Sequence, residues 1–241
     1  MKKGLNGFQL KIIACVLMTI DHIGAILFPT MLIFRLVGRL AFPIFAFFIS
    51  EGFFHTRSRK KYLLRLGICA IVFQIPDWFS RFYSIIFDMP GFGVRYPFNI
   101  FSTLFLGLCA IILFDLLKTK GALLQAFIPT LIIAVLAEVI GADYGAYGVF
   151  YILLFYLTRG NVYNMIMGGV ILHGGYGLYE LAISFINTGA ATFVHSIQIY
   201  SLCSLPIVAL YNNERGRKAK SFFYIFYPVH LIVLYIIDWI R

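Results

Sequence analysis

Nine apolar runs follow one another along this 241-residue chain, at roughly 8–28, 31–54, 62–80, 98–117, 122–141, 144–158, 162–186, 191–211 and 221–240. A helix needs about 20 apolar residues to cross a hydrocarbon core of about 30 Å. Inside lipid every backbone N–H and C=O must be satisfied within the protein, so helices are the natural form for such runs. The expected fold is therefore all-α: a polytopic integral membrane protein with about nine transmembrane helices. The run at 144–158 is short, which widens the count to eight to ten. The first run does not read as a cleavable signal. It holds Lys11, Asp21 and His22, lacks a small-residue cleavage site and leads straight into the second run. Residues 1–241 read as a single transmembrane helical domain, with no soluble domain, linker or internal repeat.

Composition agrees. Hydrophobic residues make up 61% of the chain and charged residues 12%, against about half and a quarter in a soluble domain. That excludes a soluble enzyme, a disordered chain, a coiled coil and a secreted disulfide scaffold. The four cysteines (Cys15, Cys69, Cys109, Cys203) lie inside apolar runs without close pairs, as packing thiols do, and no metal site is expected.

The net charge of +10 looks out of place until the 20 basic residues are sorted. Thirteen fall in one alternating set of loops: Lys2 and Lys3; Arg57, Arg59, Lys60 and Lys61; Lys118 and Lys120; Arg159; and Arg215, Arg217, Lys218 and Lys220. The other set holds Arg81, Arg95 and Arg241. The positive-inside rule then puts the N-terminus in the cytoplasm. Basic residues scattered over five short loops make no folded basic face, so no nucleic-acid partner is expected. An aromatic stretch from Arg81 to Pro97 has the composition of a re-entrant or interface-lying loop.

Ionisable residues within membrane spans are costly and mark candidate sites. In the first run Lys11 and His22 are eleven positions apart, which on a helix is three turns plus about 20°, or about 16 Å along one face. Cys15 and Met18 lie between them. Asp21 points about 100° away from His22, so its natural partner is an arginine on another helix. The second run supplies Arg35 and Arg39, one turn apart, with Gly38 beside them and Pro43 loosening the helix. Further along, Glu51 and His55 are spaced i,i+4 before the basic run Arg57, Arg59, Lys60, Lys61, which fits either a lipid-headgroup patch or a phosphate-binding rim. The last run carries Tyr224, Tyr227, Pro228 and a second deep histidine, His230. Weaker polar signals are Gln74, Asp77, Asn99, Asp143, His173 and His195.

The segments LKIIACVLMTIDHIGAILFP, FRLVGRLAFPIFAFFISEGFFHTRSRKKYLLRL, ADYGAYGVFYILL and FYPVHLIVL resemble the TraX family of bacterial membrane proteins along nearly the whole chain. That resemblance implies a multi-pass protein of the bacterial cytoplasmic membrane with a transmembrane acyltransferase-like bundle. The family's namesake acetylates a pilin subunit. The wider group moves acetyl from cytosolic acetyl-CoA to acceptors at or beyond the membrane. Its members often carry a basic residue, ten positions and a histidine in the first helix, a spacing that Lys11 and His22 show. They also carry an early arginine pair; Arg35 and Arg39 have three residues between them where the acyltransferase-3 branch usually has two.

The resemblance implies roles for these residues. His22 would be general base, with Asp21 and His230 beside it in the catalytic set and His230 the alternative base. Lys11, Arg35, Arg39, Arg57, Arg59 and Lys60 would hold the acetyl-CoA donor, and Glu51, His55, Asn99, Asp143 and Tyr227 the acceptor. The acceptor would be a membrane-associated protein or a surface glycan, with membrane lipids as surroundings. Two rivals meet the same inventory: a transporter or flippase of an anionic or lipid-linked substrate, and a non-catalytic assembly factor.

Overall fold

The computed structural model describes residues 3–76, 78–79, 82, 98–189, 197–218 and 220–241. The stretch Arg81–Pro97, apart from Phe82, lies outside these residues, as do Asp77 and His195. Among the described residues the protein is helical, with no strand beyond two isolated bridges, Leu5 to Tyr211 and Phe98 to Ala142. Four helical stretches are long and apolar enough to cross a membrane: Gly7–Ile26, Leu32–His55, Ile100–Thr119 and Val162–Thr188. Shorter apolar helices accompany them.

The chain divides into two compact units, Met1–Phe47 with Thr158–Arg241, and Phe48–Leu157. The first contains α1 (Gly7–Ile26), α2 (Leu32–Gly38), the start of α3 (Ala41–His55) and α8 (Val162–Thr188). A 3₁₀ segment (Ile197–Cys203) running into the short α9 (Ser204–Ala209), and the final helix α10 (Lys220–Ile240), complete it. Asparagines start α1 and α8. Asn6 forms a capping box with Gln9: its side chain accepts from the Gln9 N–H at 3.0 Å, and the Gln9 side chain accepts from the Asn6 N–H at 2.9 Å. Asn161 caps α8 by accepting from the Asn164 N–H at 2.9 Å, and Gly189, at φ +70°, ends it in the left-handed conformation.

The run expected as one helix over 31–54 is two. The break falls at Arg39–Leu40, four residues before Pro43. Proline has no N–H to give the carbonyl of Arg39, and its ring crowds that carbonyl. α1 and α2 run back to back at very close range. A Cβ at Gly24 would collide with Phe34, and one at Gly38 with Asp21. Small residues at a crossing let backbones approach in this way.

α1 and α10 run parallel. Phe8 and Lys11 meet Phe223 near the start of both helices, His22 meets His230 midway, and Leu27 accepts from Arg241 at the far end (2.9 Å). The N-terminal strap sits at the starting end. The Leu5 N–H donates to the Leu210 carbonyl (2.8 Å), the Asn212 N–H to Leu5 (2.9 Å) and the Gly7 N–H to Glu214 (2.7 Å).

The second unit holds the rest of α3, α4 (Arg59–Val72), α5 (Ile100–Thr119), α6 (Phe127–Val139) and α7 (Gly145–Leu157). α4 begins at Arg59, a little before the expected run at 62, because Ser58 caps it by accepting from the Lys61 N–H. α6 is shorter than the expected run over 122–141; residues 123–126 form turns before it. α5, α6 and α7 pack through Ala110, Ala134, Ala137, Ala142 and Val149. Outward, α6 presents Ile128, Leu131, Ile132 and Val135, each more than half exposed. A soluble protein does not leave such a face to water; on a membrane protein lipid covers it.

Candidate active site

In the first unit the structure assembles two linked groups on α1, α2 and α10. Asp21 is the centre of one. Both oxygens of its carboxylate accept from Nη2 of Arg39 at 2.9 Å, and one also accepts from Nη1 of Arg35 at 2.5 Å. Arg35 reaches the Asp21 carbonyl oxygen as well, at 3.3 Å. The i,i+4 spacing puts both guanidiniums on one side of α2, and the close crossing at Gly38 brings Asp21 to them. One carboxylate faces two guanidiniums, so these three side chains together sum to one positive charge. The side chains of Asp21 and Arg39 are nearly buried, 11% and 9% exposed, while that of Arg35 is 22% exposed. A partly buried surplus cation attracts an anion or a developing negative charge.

The second group is the histidine pair. His22 Nδ1 lies 2.7 Å from His230 Nε2. The rings are tilted by 17° with centroids 5.0 Å apart. That separation is what two ring radii and a 2.7 Å gap require when the rings lie end to end, so the bond runs along the nitrogen lone pair. The tautomers follow from the partners. His230 Nδ1 is 2.8 Å from the Phe226 carbonyl, which can only accept, so His230 carries its proton on Nδ1 and presents a lone pair at Nε2. His22 must then donate from Nδ1. Its Nε2 is left with a lone pair and no hydrogen bond among the described residues. The Phe226 ring lies nearly parallel to His230 (15°, 5.1 Å) and Tyr227 meets it edge-on, which fixes its orientation.

Lys11 lies on the same helix as His22, with its ammonium 5.6 Å from the centre of the Phe223 ring. Cys15 is buried between them. Elsewhere in this unit His173 ties α8 to the 3₁₀ segment, with Nδ1 2.7 Å from the Gly169 carbonyl and Nε2 2.7 Å from the Ser201 hydroxyl.

The remaining candidates belong to the second unit. Arg57 and Lys60 are exposed. Arg59, expected as a phosphate ligand, donates from Nη1 to Asp115 at 2.7 Å, and Tyr156 donates to the other oxygen of that carboxylate at 2.7 Å. Sequence reading passed over Asp115. The available signal was an acidic residue inside the apolar run 98–117. Glu51 is buried, with Oε2 3.5 Å from His55 Nδ1, and that nitrogen also sits 2.9 Å from the Glu51 carbonyl. The Asn99 side chain holds two helices together: its oxygen accepts from the Phe101 N–H at 2.9 Å, and its nitrogen donates to the Ala70 carbonyl at 3.1 Å. Gln74 accepts from the Asn99 main chain at 2.8 Å. Asp143 is half-buried just before α7.

Comparison with known proteins gives three results. The family model described as TraX protein matches residues 6–238. A probable fimbrial assembly protein FimC, serogroup H1, of Dichelobacter nodosus is 31% identical over 95% of this chain and 94% of its own. An uncharacterized protein RP591 of Rickettsia prowazekii (strain Madrid E) is 41% identical over 27% of this chain and 25% of its own. No solved structure matches.

Proposed function

The chain belongs to the TraX family, and on that premise we propose that it is a membrane-embedded acetyltransferase using acetyl-CoA as donor. The observation that carries the reading is the relay from His22 through His230 to the Phe226 carbonyl, set on α1 beside the surplus charge of Asp21, Arg35 and Arg39.

The lone pair on His22 Nε2 takes the proton of an acceptor amine or hydroxyl as that atom bonds to the acyl carbon. The charge gained by His22 is shared with His230 through the 2.7 Å bond, and the Phe226 carbonyl steadies the second ring. Arg35, the more open of the two arginines, faces the negative charge that gathers on the acyl oxygen. The C–S bond then breaks, and the departing thiolate takes the proton back from His22. Lys11, on the helix that carries His22, supplies a cation for the donor's phosphates, and the excess of basic over acidic charge in the loops suits an anionic donor. Tyr227, which meets His230 edge-on in the first unit, is assigned to the acceptor.

The printed name of the Dichelobacter relative points to a fimbrial subunit as acceptor class. The topology proposed is nine spans in the cytoplasmic membrane with the N-terminus inside. The parallel course of α1 and α10 supports an odd count, and the thirteen-to-three division of loop cations supports the orientation. The test is purified protein in nanodiscs given labelled acetyl-CoA and detergent-solubilised pilus subunit. Transfer by the native protein and none by His22→Ala is expected. If His22→Ala keeps full activity, the base is misassigned. If neither protein transfers label, and sealed proteoliposomes instead show substrate flux without acetyl-CoA, the transporter reading replaces this one.

A further inference from the structure

The loop between α9 and α10, in the first unit, carries three basic residues within four positions: Arg215, Arg217 and Lys218, all exposed. None of the three makes a hydrogen bond, ion pair or ring contact among the described residues. The loop's one acidic residue does not neutralise them. Glu214 Oε2 accepts instead from the Asn212 side-chain nitrogen, at 3.4 Å. Arg59 in the second unit shows the contrast, since Asp115 engages it.

Charges that only mark the cytoplasmic side of a membrane protein need no fixed backbone. This backbone is fixed. The Glu214 carbonyl accepts from the Gly7 N–H at 2.7 Å, and the Asn212 side-chain oxygen accepts from the Glu214 N–H at 2.9 Å. Asn213 and Gly216 both take the left-handed conformation, at φ +62° and +68°. Gly216 lies so close to the Asn6 side chain that a Cβ there would collide with it. The loop is thus clamped to the start of α1, one helical turn before Lys11.

Length supplies a second constraint. Lys11 and His22 are about 16 Å apart along α1. The extended pantetheine arm of coenzyme A spans about 14 Å between its pyrophosphate and its sulfur, as a chain of about four peptide units does. A thioester held at His22 by that arm leaves its pyrophosphate level with Lys11. The nucleotide and its own phosphate then lie beyond Lys11, at the end of α1 where the loop is clamped.

We propose that Arg215, Arg217 and Lys218 seat the nucleotide phosphates of the acyl donor. Asn212 and Gly216 are positioning residues that hold the loop against α1. Cations on a fixed backbone lose less freedom when an anion binds, and guanidiniums match phosphate oxygens in shape as well as charge. The assignment rests on the acetyl-CoA reading for the identity of the ligand, but its test does not depend on acyl transfer.

Coenzyme A is titrated calorimetrically into the full chain in nanodiscs, once with zwitterionic lipid and once with anionic lipid. Saturable binding is expected in both. Replacing Arg215, Arg217 and Lys218 together by Gln is expected to weaken it at least about tenfold, the worth of one charged hydrogen bond. Gly216→Ala keeps every charge and disturbs only the clamp, and it is expected to weaken binding as well. Lys118→Gln with Lys120→Gln, which removes two exposed cations of the second unit, is expected to bind as the native chain does. Native-like binding by the triple variant or by Gly216→Ala overturns the proposal, as does a native chain that does not bind. So does an equal loss in the second-unit variant, which would make the effect one of overall charge. Loss of native binding in anionic discs would make the loop a lipid-headgroup site and also overturns it. Acetyl transfer with coenzyme A binding indifferent to the loop sinks the seat and leaves the enzyme. Binding that follows the loop without acetyl transfer sinks the enzyme and leaves the seat.

Discussion

His22 and His230, 208 positions apart in the chain, meet end to end through a single 2.7 Å nitrogen–nitrogen bond. The Phe226 carbonyl dictates which of the two donates. His22→Ala is expected to lower kcat/KM by about a hundred- to ten-thousand-fold, the usual worth of a general base. His230→Ala is expected to cost less. His230→Gln should recover part of the loss, because a side-chain carbonyl at 230 still accepts from His22 Nδ1. Nitrogen-15 NMR of histidine-labelled protein checks the premise directly: His22 and His230 should both appear as Nδ1–H tautomers. An Nε2–H signal from His22 would reverse the relay.

Removing either partner of the charge cluster has unequal consequences. Asp21→Ala leaves two guanidiniums facing each other in a nearly buried site, and breaking such a pair costs about 3–5 kcal/mol. A large drop in the melting temperature of detergent-solubilised protein is expected. Arg35→Gln leaves Asp21 with Arg39, whose Nη2 is shared between both carboxylate oxygens. It should melt close to the native chain while losing acetyl transfer, since only the surplus charge has gone. Equal destabilisation by both variants would mean that Arg35 serves stability alone.

Glycine positions provide a graded test of the α1–α2 crossing. Gly38→Ala drives a methyl group into Asp21 and is expected to cost about 1–3 kcal/mol, as overpacking does. Gly174→Ala and Gly175→Ala on α8 meet no atom within 4 Å. They should be neutral or slightly stabilising, by up to about 1 kcal/mol from helix propensity. Thermal melts of the three proteins suffice.

Pro43→Ala restores an N–H that can donate to the Arg39 carbonyl, so α2 and α3 are expected to join into one helix. The Arg39 guanidinium then leaves its place on the Asp21 carboxylate. Activity should fall with little loss of melting temperature, and spin labels placed on α2 and α3 should report the straightening. An unchanged spacing between labels would assign the break to tertiary packing and not to Pro43.

Much of this fold is written locally. The apolar runs mark the helices, and Asn6, Asn99 and Asn161 mark three helix starts through their side chains. Helical geometry alone turns Asp21 away from His22 and toward another helix, and in the structure Arg35 and Arg39 are the arginines it meets. The sequence marks His22 and His230 as two deep histidines of one set, but not their direct bond, because an apolar helix surface does not encode which apolar neighbour it packs against. Arg59 shows the opposite problem. A basic run suggests free cations, and only the fold reveals that Asp115 engages one of them.

The parallel course of α1 and α10 bears on how the protein comes into being. His22 on α1 is synthesised 208 residues before His230, the ring on α10 that orients it. Until α10 inserts, His22 lacks the acceptor that sets its tautomer. The histidine pair is thereby coupled to the synthesis of α10: a polypeptide ended before it holds His22, Asp21, Arg35 and Arg39, yet lacks the partner that completes the pair.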